Sequence, residues 1–211
     1  MAVLGEEGRR GLEAVARELR RKSIHMIPGF FAIPFIYWLG RPVAAAVSLL
    51  FLTLYLLHEL SMRGVLKLRV PIAYHTYMLM ARDWELETGT FIGPVYFWSV
   101  ATAAIILLPA KAAAAAIMVS SFGDAAAALT GRLVKGPRNP LNPRKTIAGS
   151  VAMLSASTCS CLLAGLSPAA SLLVAVAATL VEAATRRDVD DEYTVPIAAA
   201  ITALLALKLH I

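Results

Sequence analysis

Predominantly apolar runs of 16 to 18 residues recur seven times along this 211-residue chain, at 24–39, 42–57, 91–108, 112–129, 147–163, 168–184 and 194–209. A helix of that length crosses the hydrocarbon of a bilayer while satisfying its own backbone hydrogen bonds. Composition points the same way: 58% of residues are hydrophobic and 16% charged, against about 25% charged in soluble domains. A chain this small has too much surface to hide so many apolar side chains from water. A soluble globular domain, a disordered chain and a disulfide scaffold are therefore excluded. The expected fold class is all-α, a polytopic integral membrane protein of about seven transmembrane helices forming one domain over 23–211.

The first run is broken by Pro28 and Pro34 and could merge with the second around 40–42, leaving six spans. The basic residues decide. With seven spans and a cytoplasmic N-terminus, 17 of the 20 Lys and Arg residues fall on one side, and only Arg41, Lys111 and Lys208 fall elsewhere. The positive-inside rule then places the N-terminus inside and the C-terminus outside. The acidic residues gather on or near the same side, with Glu59, Asp124 and Glu182 at or within the inner halves of spans. The external loops are too short to hold chemistry, so an active site would face the cytoplasm through loops 59–90, 130–146 and 185–193.

The net charge of +6 reads as topology signal and attraction to anionic lipid, and no nucleic-acid partner is expected. Segment 1–22 repeats Leu12, Val15, Ala16 and Leu19 at helical spacing, an amphipathic helix expected to lie along the interface. Cys159 and Cys161, two apart in an apolar run, would point to different helix faces and form no zinc site. They read as small packing residues.

Asp124, in the segment SFGDAAAALTGR, is the first candidate for chemistry. A carboxylate at that depth is costly and is either functional or paired; its structural alternative is a salt bridge to Arg132 or Arg144. Gly123, Ala127 and Gly131 at four-residue spacing let neighbouring backbones approach. The loop GRLVKGPRNPLNPRKTIAGS is the second. Its basic residues Arg132, Lys135, Arg138, Arg144 and Lys145 precede a helix expected to open near Thr146, a combination suited to phosphate. A solvated positive-inside loop is the plain alternative, and the spacing is wrong for a Walker A motif. The third is Glu182 with the acidic run Asp188, Asp190, Asp191 and Glu192. Carboxylates beside a phosphate site suggest Mg²⁺, against a charged loop that balances Arg186 and Arg187. His25 stands at the mouth of the first span, suited to a phosphate partner or a headgroup anchor.

The order RRKSIH, ETGTFIGPVYFW, SFGDAAAALTGR, RKTIAGS, a late Glu182 and DDEYTVP resembles the CTP-dependent lipid kinases: dolichol kinase, phytol kinase and the CTP-dependent diacylglycerol kinases. The match runs over most of the chain after residue 20 and is most specific in the GD, GR and KT-x-AGS elements. The resemblance implies transfer of the γ-phosphate of CTP to the hydroxyl of a membrane lipid alcohol of dolichol, polyprenol, geranylgeraniol or phytol type, with Mg²⁺. It places Asp124, Gly131, Arg132, Lys145, Thr146, Gly149 and Ser150 in the nucleotide and metal site. Asp124 and Lys145 carry the catalytic roles, and Asp124, Glu182 and Asp191 the metal. The early basic-x-x-His match adds Lys22 and His25, and the segment before the third span adds Glu87. Where the family commonly has Asp-Asn, this chain has Asp191-Glu192. Expected partners are the bilayer, the lipid alcohol and CTP; monomer and homodimer are both compatible with the sequence.

Three rival readings stand beside this one, besides the diacylglycerol substrate. Cytidylyltransferases that form CDP-lipids are distantly similar, but their late His-Gly and Asp-Arg pairs are missing after Lys145. A CDP-alcohol phosphotransferase would need a dense series of spaced aspartates. A small transporter would use Asp124 and Glu182 as coupling carboxylates near the midplane, whereas the conspicuous residues gather on one side.

Overall fold

Proline and small hydroxyl residues set where the helices begin. In the computed structural model, which describes residues 6–134, 136–186 and 191–211 (backbone only before residue 15), α1 covers Glu6–His25 and α2 covers Ile27–Ile33. A wide π-helical turn, Pro34–Trp38, continues α2. There follow α3 (Arg41–Met62), α4 (Pro71–Met80), α5 (Asp83–Thr88), α6 (Ile92–Leu107) and α7 (Ala110–Met118). A second π-helical turn, Val119–Gly123, leads into α8 (Asp124–Leu133), and α9 (Ile147–Leu163), α10 (Pro168–Ala184) and α11 (Asp191–Lys208) complete the helices. Pro42, Pro71 and Pro168 stand in the first turns of α3, α4 and α10, where a missing N–H costs nothing. Thr146 caps α9 by accepting from the Gly149 N–H at 3.0 Å, and Ser167 caps α10 by accepting from Ala170 at 3.1 Å.

The fold is mostly helical, as expected, with one departure. Loop 130–146 contains a two-stranded antiparallel hairpin, β1 (Arg138–Asn139) and β2 (Asn142–Thr146). Pro137, Pro140 and Pro143 forbid a helix there. The Asn139 and Asn142 side chains accept from the backbone of Leu141 and Arg144, at 2.9 and 3.1 Å, and shape the turn.

The expectation of seven full spans is not supported by helix length. Among the described residues, two helices are long and apolar enough to cross a membrane: Arg41–Met62 and the continuous Ala110–Leu133. α6, α9 and α10 are apolar but run only 16 to 17 residues. The first expected span is divided among the end of α1, α2 and a π turn, because Pro28 and Pro34 interrupt regular hydrogen bonding. Support for membrane association thus rests on those two helices and on the surface. Small residues fill the core: Ala112–Ala116 of α7 and Ala199, Ala203 and Ala206 of α11 are all buried. Large apolar side chains face outward, including Leu49 and Leu50 of α3, Leu172 and Leu180 of α10, and Ile201 and Leu205 of α11. Backbones close-packed over small residues are what helices do in lipid. The Ala110–Leu133 helix is central, 72% buried along its most apolar stretch against 28% for Arg41–Met62.

The N-terminal helix turns its polar stripe inward. Glu18, Lys22 and His25 of α1 are buried, while Ala16 and Leu19 are exposed. At i, i+4 and i+7 these three polar residues form one stripe that packs onto α8. Ala16 and Leu19 are left facing outward.

Candidate functional site

The polar face of α1, the start of α8, the hairpin and the facing ends of α10 and α11 enclose a cavity of about 220 Å³. Basic side chains dominate its wall: Arg21, Lys22, Arg132, Arg138, Arg144 and Lys145. Glu18, Asp124, Glu182 and Asp191 supply the carboxylates. The π turn at Val119–Gly123 places Asp124 here by shifting the register of the central helix just before it, a device frequent at functional sites. Gly123 lets α9 close against that turn, since a Cβ would lie 2.5 Å from Ser157 Oγ and 2.9 Å from Met153 Sδ.

Asp124 pairs with neither Arg132 nor Arg144. Its Oδ2 accepts from the Lys22 ammonium and lies 3.5 Å from His25 Nε2, with the Lys22 and Asp124 side chains 3% and 13% exposed. His25 Nε2 donates to the Ser120 carbonyl at 3.2 Å, and its Nδ1 faces Glu192 Oε2 at 3.6 Å. His25, Asp124 and Glu192 place one ligand atom each within 4.8 Å of one another. Arg132 instead holds Glu18 at 3.1 Å, and Arg144 donates to the Arg186 carbonyl at 3.3 Å.

Lys145 sits between the other two carboxylates, 2.7 Å from Glu182 Oε1 and 2.9 Å from Asp191 Oδ2. Burial alone would lower the ammonium's pKa; Asp191 and Glu182 overcome that and hold it above the usual lysine value. Asp191 Oδ1 is buried without a hydrogen-bond partner among the described residues. Glu18 follows the same logic with the opposite sign. Burial would raise its pKa, but the Arg21 hydrogen bond and the charges of Arg21, Lys22 and Arg132 hold it below the usual carboxylate value.

Most of the residues singled out in the sequence converge here: Lys22, Asp124, Gly131, Arg132, Lys145, Thr146, Gly149, Ser150, Glu182 and Asp191 all line the cavity. Several of them also serve the fold. Gly131 and Gly149 are positions of close helix approach: a Cβ on Gly149 would stand 2.9 Å from the Ala127 carbonyl oxygen and 3.5 Å from Gly131 Cα. Thr146 is a helix cap, and Ser150 accepts from Asn139 Nδ2 at 2.8 Å, tying the hairpin to α9. Glu87 is exposed and does not line the cavity; Glu85 is the buried carboxylate of α5. Residues two apart on a helix point to nearly opposite sides. Glu59 proves structural, its Oε2 accepting from the Phe91 N–H at 2.6 Å and its Oε1 pairing with Arg63 at 2.7 Å. Of the paired thiols, Cys161 is buried and Cys159 exposed. Lys135, Arg187, Asp188 and Asp190 lie outside the described residues.

Sequence reasoning missed Arg21, Arg82 and Glu18. The available signal was the polar stripe of α1, whose burial becomes evident only once α8 is opposite it.

A second, apolar cavity of about 430 Å³ lies between α2, α3, α4 and α6 and shares Arg21 and Arg82 with the first. Its remaining polar lining is sparse; His25, Glu85 and Glu192 stand with those two arginines, beside the carboxylates of the polar cavity.

Comparison with family models, curated proteins and solved structures returned no match.

Proposed function

We propose that this protein is a CTP-dependent lipid kinase of the membrane, transferring the γ-phosphate of CTP to the hydroxyl of an isoprenoid-type alcohol. One observation carries the reading: an apolar cavity and an arginine- and lysine-lined cavity meet, with Arg21 and Arg82 in both walls. A reaction between a water-soluble triphosphate and a membrane alcohol needs such a meeting place. The order of sequence elements from RRKSIH to DDEYTVP supplies the family.

On this reading all seven apolar segments cross the bilayer, the first as the 16 residues 24–39, made of the end of α1, α2 and its π turn. Helices of 16 to 17 residues lie at the short end of the spanning range and are accommodated by local bilayer thinning. The N-terminus is cytoplasmic, the C-terminus external, and the polar cavity opens to the cytoplasm.

The arginines of the polar cavity hold the triphosphate, whose equatorial oxygens gain the charge that must be neutralised. Lys22 and Lys145 keep the carboxylates compensated before the nucleotide arrives, and each then exchanges part of that pairing for phosphate. Asp124 takes the proton of the alcohol. The alcohol oxygen bonds to the γ-phosphorus as the bond to the β–γ bridging oxygen breaks, and CDP leaves with that electron pair. Glu182 and Asp191 would offer Mg²⁺ hard oxygen donors, the buried Asp191 Oδ1 having no other partner among the described residues, while the group whose ligand atoms lie within 4.8 Å of one another is His25, Asp124 and Glu192. When bound, that ion supplies charge neutralisation on the phosphates.

The test is incubation of purified protein with Mg²⁺, a polyprenol and CTP labelled at the γ- or the α-phosphorus. Lipid label from γ-CTP alone is the expected result. Label from α-CTP with phosphatidate would establish cytidylyl transfer instead.

A further inference from the structure

We infer that the apolar cavity is a chain-length gauge for a hydrocarbon chain of about fourteen bonds, with Ile36, Ala44 and Ile105 as its floor. The inference rests on the proposed kinase reading for the chemistry of the head group and on the shape of the cavity for the chain.

Two contacts fix the cavity's direction. Glu59 Oε2 accepts from the Phe91 N–H, joining the end of α3 to the start of α6, and Arg41 donates to the Ile105 carbonyl at 2.8 Å, joining their opposite ends. The two helices therefore run antiparallel along the cavity wall. The polar end lies at His25, Tyr55 and Phe91, where Arg21 and Arg82 lead into the polar cavity. At the other end, Ile36, Ala44 and Ile105 are each 3–4% exposed, so that end is closed. Near the polar end the lining residues Ile27 and Phe31 of α2 and Ile72 of α4 are exposed. The side opening therefore lies between α2 and α4, level with the head group.

Length follows from helix geometry. From Tyr55 to Ala44 on α3 is ~16.5 Å, and from Gly93 to Ile105 on α6 ~18 Å, at 1.5 Å per residue. An extended chain advances ~1.2 Å per bond, as the three-bond repeat of an extended backbone implies, so about fourteen bonds reach the floor. A longer chain meets the closed floor and gains nothing further from the cavity.

The experiment is displacement of labelled 1-hexadecanol from purified, detergent-solubilised protein by straight-chain 1-alkanols of increasing length. Affinity is expected to rise with each methylene up to about fourteen to sixteen carbons and then to level off. Ala44→Leu raises the floor and should move that break two to three carbons shorter, while Ile105→Ala should move it two to three carbons longer, at about 1.2 Å per bond. Because the two shifts have opposite signs, failure of one variant to fold leaves the other decisive. Affinity that climbs steadily past the break, a break unmoved in both variants, or no binding of hexadecanol would overturn the inference. No phosphoryl transfer is involved in the readout. A clear break without lipid phosphorylation would remove the kinase reading alone, and phosphorylation without a break would remove the gauge alone.

Discussion

Lys22 on α1 and Asp124 on α8, 102 residues apart in sequence, form a buried ion pair in the wall of the polar cavity. The pair fastens the N-terminal helix to the centre of the protein and keeps a deeply placed carboxylate compensated. Removing one partner of such a pair leaves a buried charge, at a cost of about 3 kcal/mol, whereas removing both costs much less. Lys22→Met should therefore lower thermal stability sharply, and Lys22→Met with Asp124→Asn should recover most of the loss without recovering activity. Unfolding curves of the two single variants and the double variant measure this. Additive losses would show that the two side chains do not depend on each other.

Lys145 is held by Glu182 and Asp191, so its substitution acts on both stability and chemistry. Lys145→Ala should reduce lipid phosphorylation by at least ~100-fold, the scale for losing one preorganised charge-stabilising donor. With the ammonium gone, the two carboxylates gain a stronger demand for a cation. Mg²⁺ should then raise the melting temperature of Lys145→Ala more than that of the wild type. An equal Mg²⁺ response in both proteins would count against these carboxylates as metal ligands.

Two buried carboxylates should give pH responses of opposite sign. Glu18 has a folded pKa below its ordinary value of 4.5. Its stabilisation is present above that value and is lost as pH falls through the folded pKa. Glu85 is pushed up by burial, against the Arg82 backbone hydrogen bond and the charges of Arg82 and Arg21. Its contribution is fully present below the ordinary carboxylate value and is lost as pH rises through the folded pKa. Glu18→Gln should destabilise at pH 7 and converge with the wild type in acid. Glu85→Gln should raise stability at pH 7 and converge with the wild type in acid. Melting temperatures between pH 3 and pH 8 provide the comparison, and parallel curves for the two variants would refute both assignments.

Gly149 is required by the approach of α8 to α9. Gly149→Ala places a methyl group 2.9 Å from the Ala127 carbonyl oxygen, and the helices must part. A loss of about 1–3 kcal/mol is expected, typical of overpacking, together with weaker nucleotide binding. Gly136→Ala, where a Cβ meets nothing within 4 Å, is the control and should behave as wild type. Equal melting temperatures for the two variants would contradict the close-packing role.

Local chemistry made much of the fold legible. The expected runs 147–163 and 168–184 coincide with α9 and α10 because Thr146 and Ser167–Pro168 announce their starts. Asp124 was recognisable because a carboxylate inside an apolar run has few inexpensive explanations. Tertiary features were not legible. Nothing near Lys22 in the chain announces Asp124 as its partner, and no local pattern shows that the polar stripe of α1 packs against α8. The step from Glu87 to Glu85 is a matter of helix phase, set by how the short α5 docks. The shared arginine wall needs Arg21 and Arg82 brought together from two separate segments, which no local pattern encodes.

The most direct measurement is formation of lipid phosphate by purified wild type and Asp124→Asn, each given Mg²⁺, a polyprenol, and γ-labelled CTP or ATP. Label in the lipid with CTP for the wild type, and none for Asp124→Asn at equal folded protein, is the expected result. No lipid label from the wild type, or equal label from both proteins, would contradict the proposal that phosphoryl transfer takes place at Asp124 where the two cavities meet.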